Sequence, residues 1–249
     1  LGLGGCSIGP TGAAGIAEYV SGSGVLKSLD LDDNHVGAEG AAAIAEALRG
    51  NGVLKTLDLN GNKIGDEGAK AIGGALAVNG VLTELHLCFN HIGDESAKAI
   101  GEALAVNGVL KTLYLNGNKI GYEGAKTIGG ALADNAGLTN LVLYNNRIGN
   151  EGAKALAAAL RVNEVLTSLD VGYNSLTEEA ALGIVRVERQ RNKLTSLGLA
   201  RCNIGPTGAA EIAEYVSGSE VLKPLDLHGN EIRDEGAEAL ASALRVNGV

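Results

Sequence analysis

The apolar residues of this chain fall into one sentence that is copied along its length. Leucine leads the pattern LxxLxLxxN at Leu26, Leu54, Leu82, Leu110, Leu138, Leu166, Leu194 and Leu222, always 28 residues apart. Within a unit, "LKTLDLNGN" alternates apolar and polar positions, which predicts a short strand. The following "GDEGAKAIGGALAVNG" sets Ala69, Ile72 and Leu76 at i, i+3 and i+7, one face of a helix. Asp66 is placed to cap that helix, Glu67 suits its positive end, and Asn79-Gly80 supplies a stop that tolerates left-handed backbone. Neither element buries its apolar face alone, so units must stack on their neighbours.

The frame closes on the whole sequence. A partial unit at 1–25 is followed by eight full units over 26–249, without insertion, so one array with no linker and no second domain is expected. Strands stack at about 4.8 Å and helices at about 8 to 10 Å, and joining the two spacings curves the array with its strands inside. The prediction is a right-handed α/β solenoid, a horseshoe with a parallel concave sheet of about nine strands and convex helices.

Composition sharpens this picture. Only 3% of residues are aromatic and 38 are Gly, which suits a stack held by small side chains and close backbones. The net charge of −9 argues against a nucleic-acid partner, whose phosphates need clustered Lys and Arg. No run approaches the roughly 20 apolar residues of a membrane span, and "LGLGGCSIGP" lacks the basic start of a signal peptide. With no Met in the chain, Leu1 reads as the start of an excised or trimmed piece. Residues 6–31 match 202–227 at 22 of 26 positions, seven units apart, which suggests duplication within a longer array or assembly from consensus units. Neither end carries a polar capping unit, and Val249 stands at the threshold of a further strand, so end-to-end self-association is expected.

The consensus LxxLxLxxNxIgxeGAxxIaxAL at 28 residues resembles the ribonuclease-inhibitor class of leucine-rich repeats over the entire chain. The resemblance implies an inward asparagine that bonds neighbouring loop backbones, at Asn34, Asn62, Asn90, Asn118, Asn146, Asn174 and Asn230, with Cys6 and Cys202 in the same slot. It also implies binding of another protein. Related arrays serve as inhibitors, as sensor domains of NOD-like receptors or as scaffolds. A relation to Ran GTPase-activating protein would make the chain an enzyme regulator, although that family's acidic tail is missing. The remaining alternative is a purely structural, self-stacking spacer.

Chemistry is sparse. No Walker loop, nucleophile elbow or HExxH is present, so an enzyme is not expected, nor a cofactor. His86 and Cys88 share a strand face beside Asp58, but a fourth ligand for zinc is missing and both read as surface residues. The runs "DLDDNHVGAE" and "DLNGNKIGDEG" echo a calcium loop, yet its required Gly is His35 or Lys63 here. No metal is expected. Cys6 and Cys202 lie seven units apart, too far for a disulfide, and read as buried thiols. Free thiols and the absence of any glycosylation sequon point to a reducing, cytoplasmic location.

The third, fifth, seventh and eighth letters of each strand face the concave solvent, and there the units differ. His86, Phe89, Tyr114, Val142, Tyr144 and Tyr173 fall in four consecutive units and form a candidate partner-binding patch. Asp30, Asp32, Asp33 and Asp58 lie beside it and suit a basic partner. On the helices, Lys70, Lys98, Lys126 and Lys154 follow Glu67, Glu95, Glu123 and Glu151 by three residues, as structural ion pairs. One unit departs. In "SLTEEAALGIVRVERQRNK", Glu188 takes the slot of Leu76, Val187 replaces it if the helix rotates by one residue, and Arg186, Arg189, Arg191 and Lys193 form a basic cluster that offers a second contact site.

Overall fold

The computed structural model describes residues 1–247, so the expected threshold position of Val249 lies outside the described residues. Helices α1 (Pro10–Gly22), α2 (Gly37–Gly50), α3 (Gly65–Leu76), α4 (Asp94–Val106), α5 (Tyr122–Asp134), α6 (Gly149–Leu160), α7 (Glu178–Arg191), α8 (Pro206–Gly218) and α9 (Arg233–Asn247) alternate with strands. The strands are β1 (Ser28–Asp30), β2 (Thr56–Asp58), β3 (Glu84–His86), β4 (Thr112–Tyr114), β5 (Asn140–Val142), β6 (Ser168–Asp170), β7 (Ser196–Gly198) and β8 (Leu225–Asp226). They pair in sequence order in one parallel sheet. Register follows the 28-residue period, with Leu29 opposite Leu57, Leu85 and onward. The sheet thus has eight strands where about nine were expected. Leu1 and Gly2 stand at the last two positions of a further strand and join the sheet through a bridge from Gly2 to Asp30, with Leu3 N–H donating to the Asp30 carbonyl.

Between sheet and helices runs one apolar core. Leu57, Leu59, Ile64, Ala69, Ile72 and Leu76 are all buried and the inner units repeat the set, with Glu188 in the Leu76 slot of one. In the last unit, by contrast, Leu225, Leu227, Ile232 and Leu240 are half-buried and Leu244 is exposed. The helices approach closely at small residues. A Cβ on Gly73 would come within 3.0 Å of the Ala99 carbonyl oxygen, so a side chain there would push α3 from α4.

The polar groups join units rather than finishing them. Asn62 donates to the carbonyl of Leu31 at 2.8 Å, and the Asn90 side-chain oxygen accepts from Asn62 and Ile64 N–H. This is the expected asparagine ladder. A second ladder lies at the helix ends. Asn107 donates to Leu76 and Asn79 carbonyls at 2.7 and 3.0 Å, and accepts from Val109 and Leu110 N–H. Asn51, Asn79, Asn135 and Asn163 do the same. At these ends the helix stop is therefore not left-handed: Asn51, Asn107 and Asn135 are extended, because their side chains must reach back across the unit boundary. Only α7, which lacks the asparagine, ends on a left-handed residue, Asn192, among the described helix ends.

Asp66 likewise works across the boundary. It does not cap α3, inside whose first turn it sits. It accepts instead from Gly93 N–H and the Ser96 hydroxyl at the start of α4, and Asp94 serves Gly121 and Gly124 of the next unit in the same way. Burial alone would raise the Asp66 pKa, but the Ser96 and Gly93 hydrogen bonds outweigh it and the net shift is downward.

Candidate functional site

The concave side chains come from strand ends and the tight turns that follow. Asp30, Asp58, Asp170 and Asp226 each accept the N–H two residues on, closing that turn. Half of the proposed acidic patch therefore has a structural task, while Asp32 and Asp33 are exposed. The Asp58 pKa is raised mainly by burial, partly countered by the Asn60 N–H and by His86. Asp170, which the sequence reading passed over, is raised by burial too, as it lies over Gly198.

His86 stands between two carboxylates, its Nε2 3.0 Å from Glu84 Oε1 and its Nδ1 3.4 Å from Asp58 Oδ2. Its ring tilts against Tyr114, with centroids 4.5 Å apart. Val142 follows Tyr114 in register on β5. Tyr144 and Tyr173 form a second tilted pair at 4.7 Å, and the Arg201 guanidinium lies 4.8 Å from the Tyr173 centroid. Burial and the Tyr173 hydroxyl raise the pKa of Tyr144. Phe89 lies against Gly117, where a Cβ would collide with its ring, and its other side is open, leaving the residue 56% exposed.

The eighth-letter column has a property that pattern reading missed. Gly5, Asp33, Gly61, Phe89, Gly117, Asn145, Tyr173, Arg201 and Gly229 all have positive φ, between 49° and 70°. Glycine adopts this conformation freely, whereas a bulky side chain does so at a cost of about 1–2 kcal/mol. Phe89 and Tyr173 therefore occupy positions where four units use glycine.

Two thiols differ from expectation. Cys88 is 6% exposed rather than a surface residue, because its Sγ–H turns down to donate to Asn116 Oδ1 at 2.8 Å. Burial pushes its pKa up to about 11, so it is a poor nucleophile. Cys202 is buried and pushed up to about 12 by burial, as expected, but Cys6 is exposed, having a neighbouring unit on one side only among the described residues. Among the described residues no three of His, Cys, Asp and Glu gather as a metal site. No described helix is long and apolar enough to cross a membrane.

The basic cluster is not a free patch. Arg186 bridges Glu179 and Glu211, Arg189 pairs with Glu214, and Lys193 pairs with Glu164. Arg191 is buried rather than on the outer face. Its side chain is 4% exposed and paired at 2.7 Å with a fully buried Glu188. The helix has not rotated to exchange Glu188 for Val187, since both are buried. Of the four expected Lys–Glu pairs, Lys70–Glu67 and Lys154–Glu151 form, while Lys126 stands over the Tyr122 ring.

A parallel sheet with one solvated face, backed by a helix in every 28-residue turn, defines a stacked-repeat solenoid. Residues 25–45, 50–73, 78–101, 106–129, 135–157, 191–213 and 218–241 match the family described as Leucine Rich repeat, and the chain belongs to it. The gap between 157 and 191 contains the departing unit with α7. Among solved structures, the chain is similar to the leiomodin-1 actin-binding site 2, at 22% identity over 62% of this chain and 73% of that one, with a TM-score of 0.39. It is also similar to a tropomodulin C-terminal domain from Caenorhabditis elegans, at 11% identity over 85% and 93%, with a TM-score of 0.43. No curated protein matches the chain.

Proposed function

We propose that the array is a non-catalytic protein-interaction module whose partner seats on the concave face. His86, Phe89, Tyr114, Val142, Tyr144 and Tyr173 are its anchors, and Asp32 and Asp33 flank them. The observation that carries this reading is Phe89: a large apolar ring, more than half exposed, held in a left-handed turn where neighbouring units use glycine. Backbone strain of this kind persists where function retains it. Rigid exposed aromatics are the usual anchors of protein interfaces. The 28-residue units with full helices support the ribonuclease-inhibitor-like subclass, and three free thiols support a reducing, cytoplasmic setting.

The test is affinity capture with the chain and with a variant carrying Phe89, Tyr114, Tyr144 and Tyr173 changed to Ala, both verified as folded. A protein held by the first and lost by the second supports the concave site. Identical captures overturn it.

A further inference from the structure

The tenth letter of five consecutive units is basic: His35, Lys63, His91, Lys119 and Arg147. All five are exposed, and none enters an ion pair among the described residues. The column is neutral before this stretch at Ser7, neutral after it at Ser175 and Asn203, and acidic at Glu231. The row is thus confined to the units of β1 to β5, in a protein of net charge −9.

Its position makes it costly. Each residue lies two or three positions before the start of α2, α3, α4, α5 or α6. Helix N-termini carry partial positive charge and favour anions, so the cations of Lys63, Lys119 and Arg147 are repelled there. Nearby acids offset part of this, since Glu39, Glu95 and Glu123 in the first turns of α2, α4 and α5 enter no ion pair among the described residues; the others are engaged. Asp66 and Asp94 are bonded to the following helix, and Glu67 and Glu151 pair with Lys70 and Lys154, though Lys119 is within electrostatic reach of Asp66.

We propose that this row is a docking track for an extended acidic peptide segment of a protein partner, running along the rim beside the concave sheet. Five units at about 4.8 Å per strand span roughly 19 Å, the reach of about six extended residues at ~3.3 Å each. A run of glutamates or aspartates of that length matches the row in charge and length. A nucleic-acid duplex fits less well, because its broad anionic surface would also meet exposed Asp32, Asp33 and Glu67. The track is independent of the aromatic patch, and a partner using both would be drawn to the rim by charge before seating on the sheet.

The probe is fluorescein-labelled deca-glutamate, followed by anisotropy at about pH 6 and about 0.1 M salt, where a screening length of ~10 Å confines the readout to charges near the probe. The chain should bind it, and Lys63→Glu, Lys119→Glu and Arg147→Glu together should weaken binding about tenfold or more. The outer-face set Lys98→Glu, Lys126→Glu and Lys154→Glu changes net charge equally and should stay within about twofold of the parent. The corresponding glutamine variants at 63, 119 and 147 serve if the reversals unfold. The alanine variant at the four concave aromatics should bind the probe normally, which separates this proposal from the concave reading. Equal loss in both triple variants, no binding by the parent chain, or tighter binding of an oligothymidylate would each overturn the proposal.

Discussion

Glu188 and Arg191 together do the work of one asparagine. In the preceding unit Asn163 donates to the Asn135 carbonyl and accepts from Leu166 N–H. One unit on, Arg191 occupies that slot and donates to the Asn163 carbonyl at 2.6 Å, while Glu188 accepts from Leu194 N–H at 3.0 Å. Removing either partner leaves a buried charge, so Glu188→Ala alone or Arg191→Ala alone should cost about 3–5 kcal/mol in urea unfolding. The double replacement Glu188→Leu with Arg191→Asn, which restores the pattern of the other units, should recover most of that loss. If the double variant is as unstable as the singles, the substitution rule is wrong.

The second ladder should matter as much as the first. Asn107→Ala removes four hydrogen bonds from buried backbone groups, and Asn118→Ala removes a comparable set. Each should destabilise the array by roughly 4 kcal/mol, judged from about 1 kcal/mol per bond. Chemical denaturation of the two variants side by side checks this, and a near-neutral Asn107→Ala would reduce the helix-end ladder to decoration.

Two aspartates should respond oppositely to pH. The lowered pKa of Asp66 means that its contribution is present above the unfolded value near 3.8 and is lost as pH falls through the folded value. The stability gap between the parent and Asp66→Ala should therefore close below about pH 4. Asp170 is raised, so its ionisation opposes folding at neutral pH and ceases to do so in acid. Asp170→Asn, which keeps an acceptor for Gly172 N–H, should stabilise the neutral protein and make no difference in acid. Thermal melts from neutral to acid pH read both.

Phe89→Gly should show a conflict between stability and binding. Relieving the left-handed phenylalanine should stabilise the fold or leave it unchanged, by up to about 1 kcal/mol, while partner capture is lost. A clear loss of stability would mean that the contact with Gly117 outweighs the strain.

The repeat was legible because period and burial obey one rule. Leu57 and Ile72 do in the structure what their spacing implied, and Asn62 does what the family resemblance implied, since any departure would expose a core or strand a polar group. Asp66 and Asn79 were recognised as helix-end residues but assigned to their own unit. Within a single unit both readings are sensible, and only stacking reveals that the nearer partner belongs to a neighbour. Cys88 was misplaced because alternation predicts facing, not the turn of a thiol toward Asn116. Arg191 looked like a surface cation for the same reason, its pairing with Glu188 being a matter of helix geometry rather than composition. The tenth-letter row escaped notice because that column lies outside the strand, where pattern reading stops.

Polar groups that serve the next unit also describe how such a chain can grow. Asp66 completes its successor's helix, and Asn107 completes its predecessor's carbonyls, so what is transmitted between units is a joint of constant shape. A segment of whole 28-residue units cut between asparagine joints, from Asn51 to Asn163, carries matching helix-end joints at both ends and can be copied without redesign of that contact. The near-identity of 6–31 and 202–227, seven units apart, is consistent with such copying. The joint after α7 departs furthest, since Arg191 and Glu188 replace the asparagine there, whereas after α1 and α8 Ser23 and Ser219 take its slot. At that seam a transplanted unit has to supply its own acceptor, which makes it a barrier to shuffling in an otherwise interchangeable series.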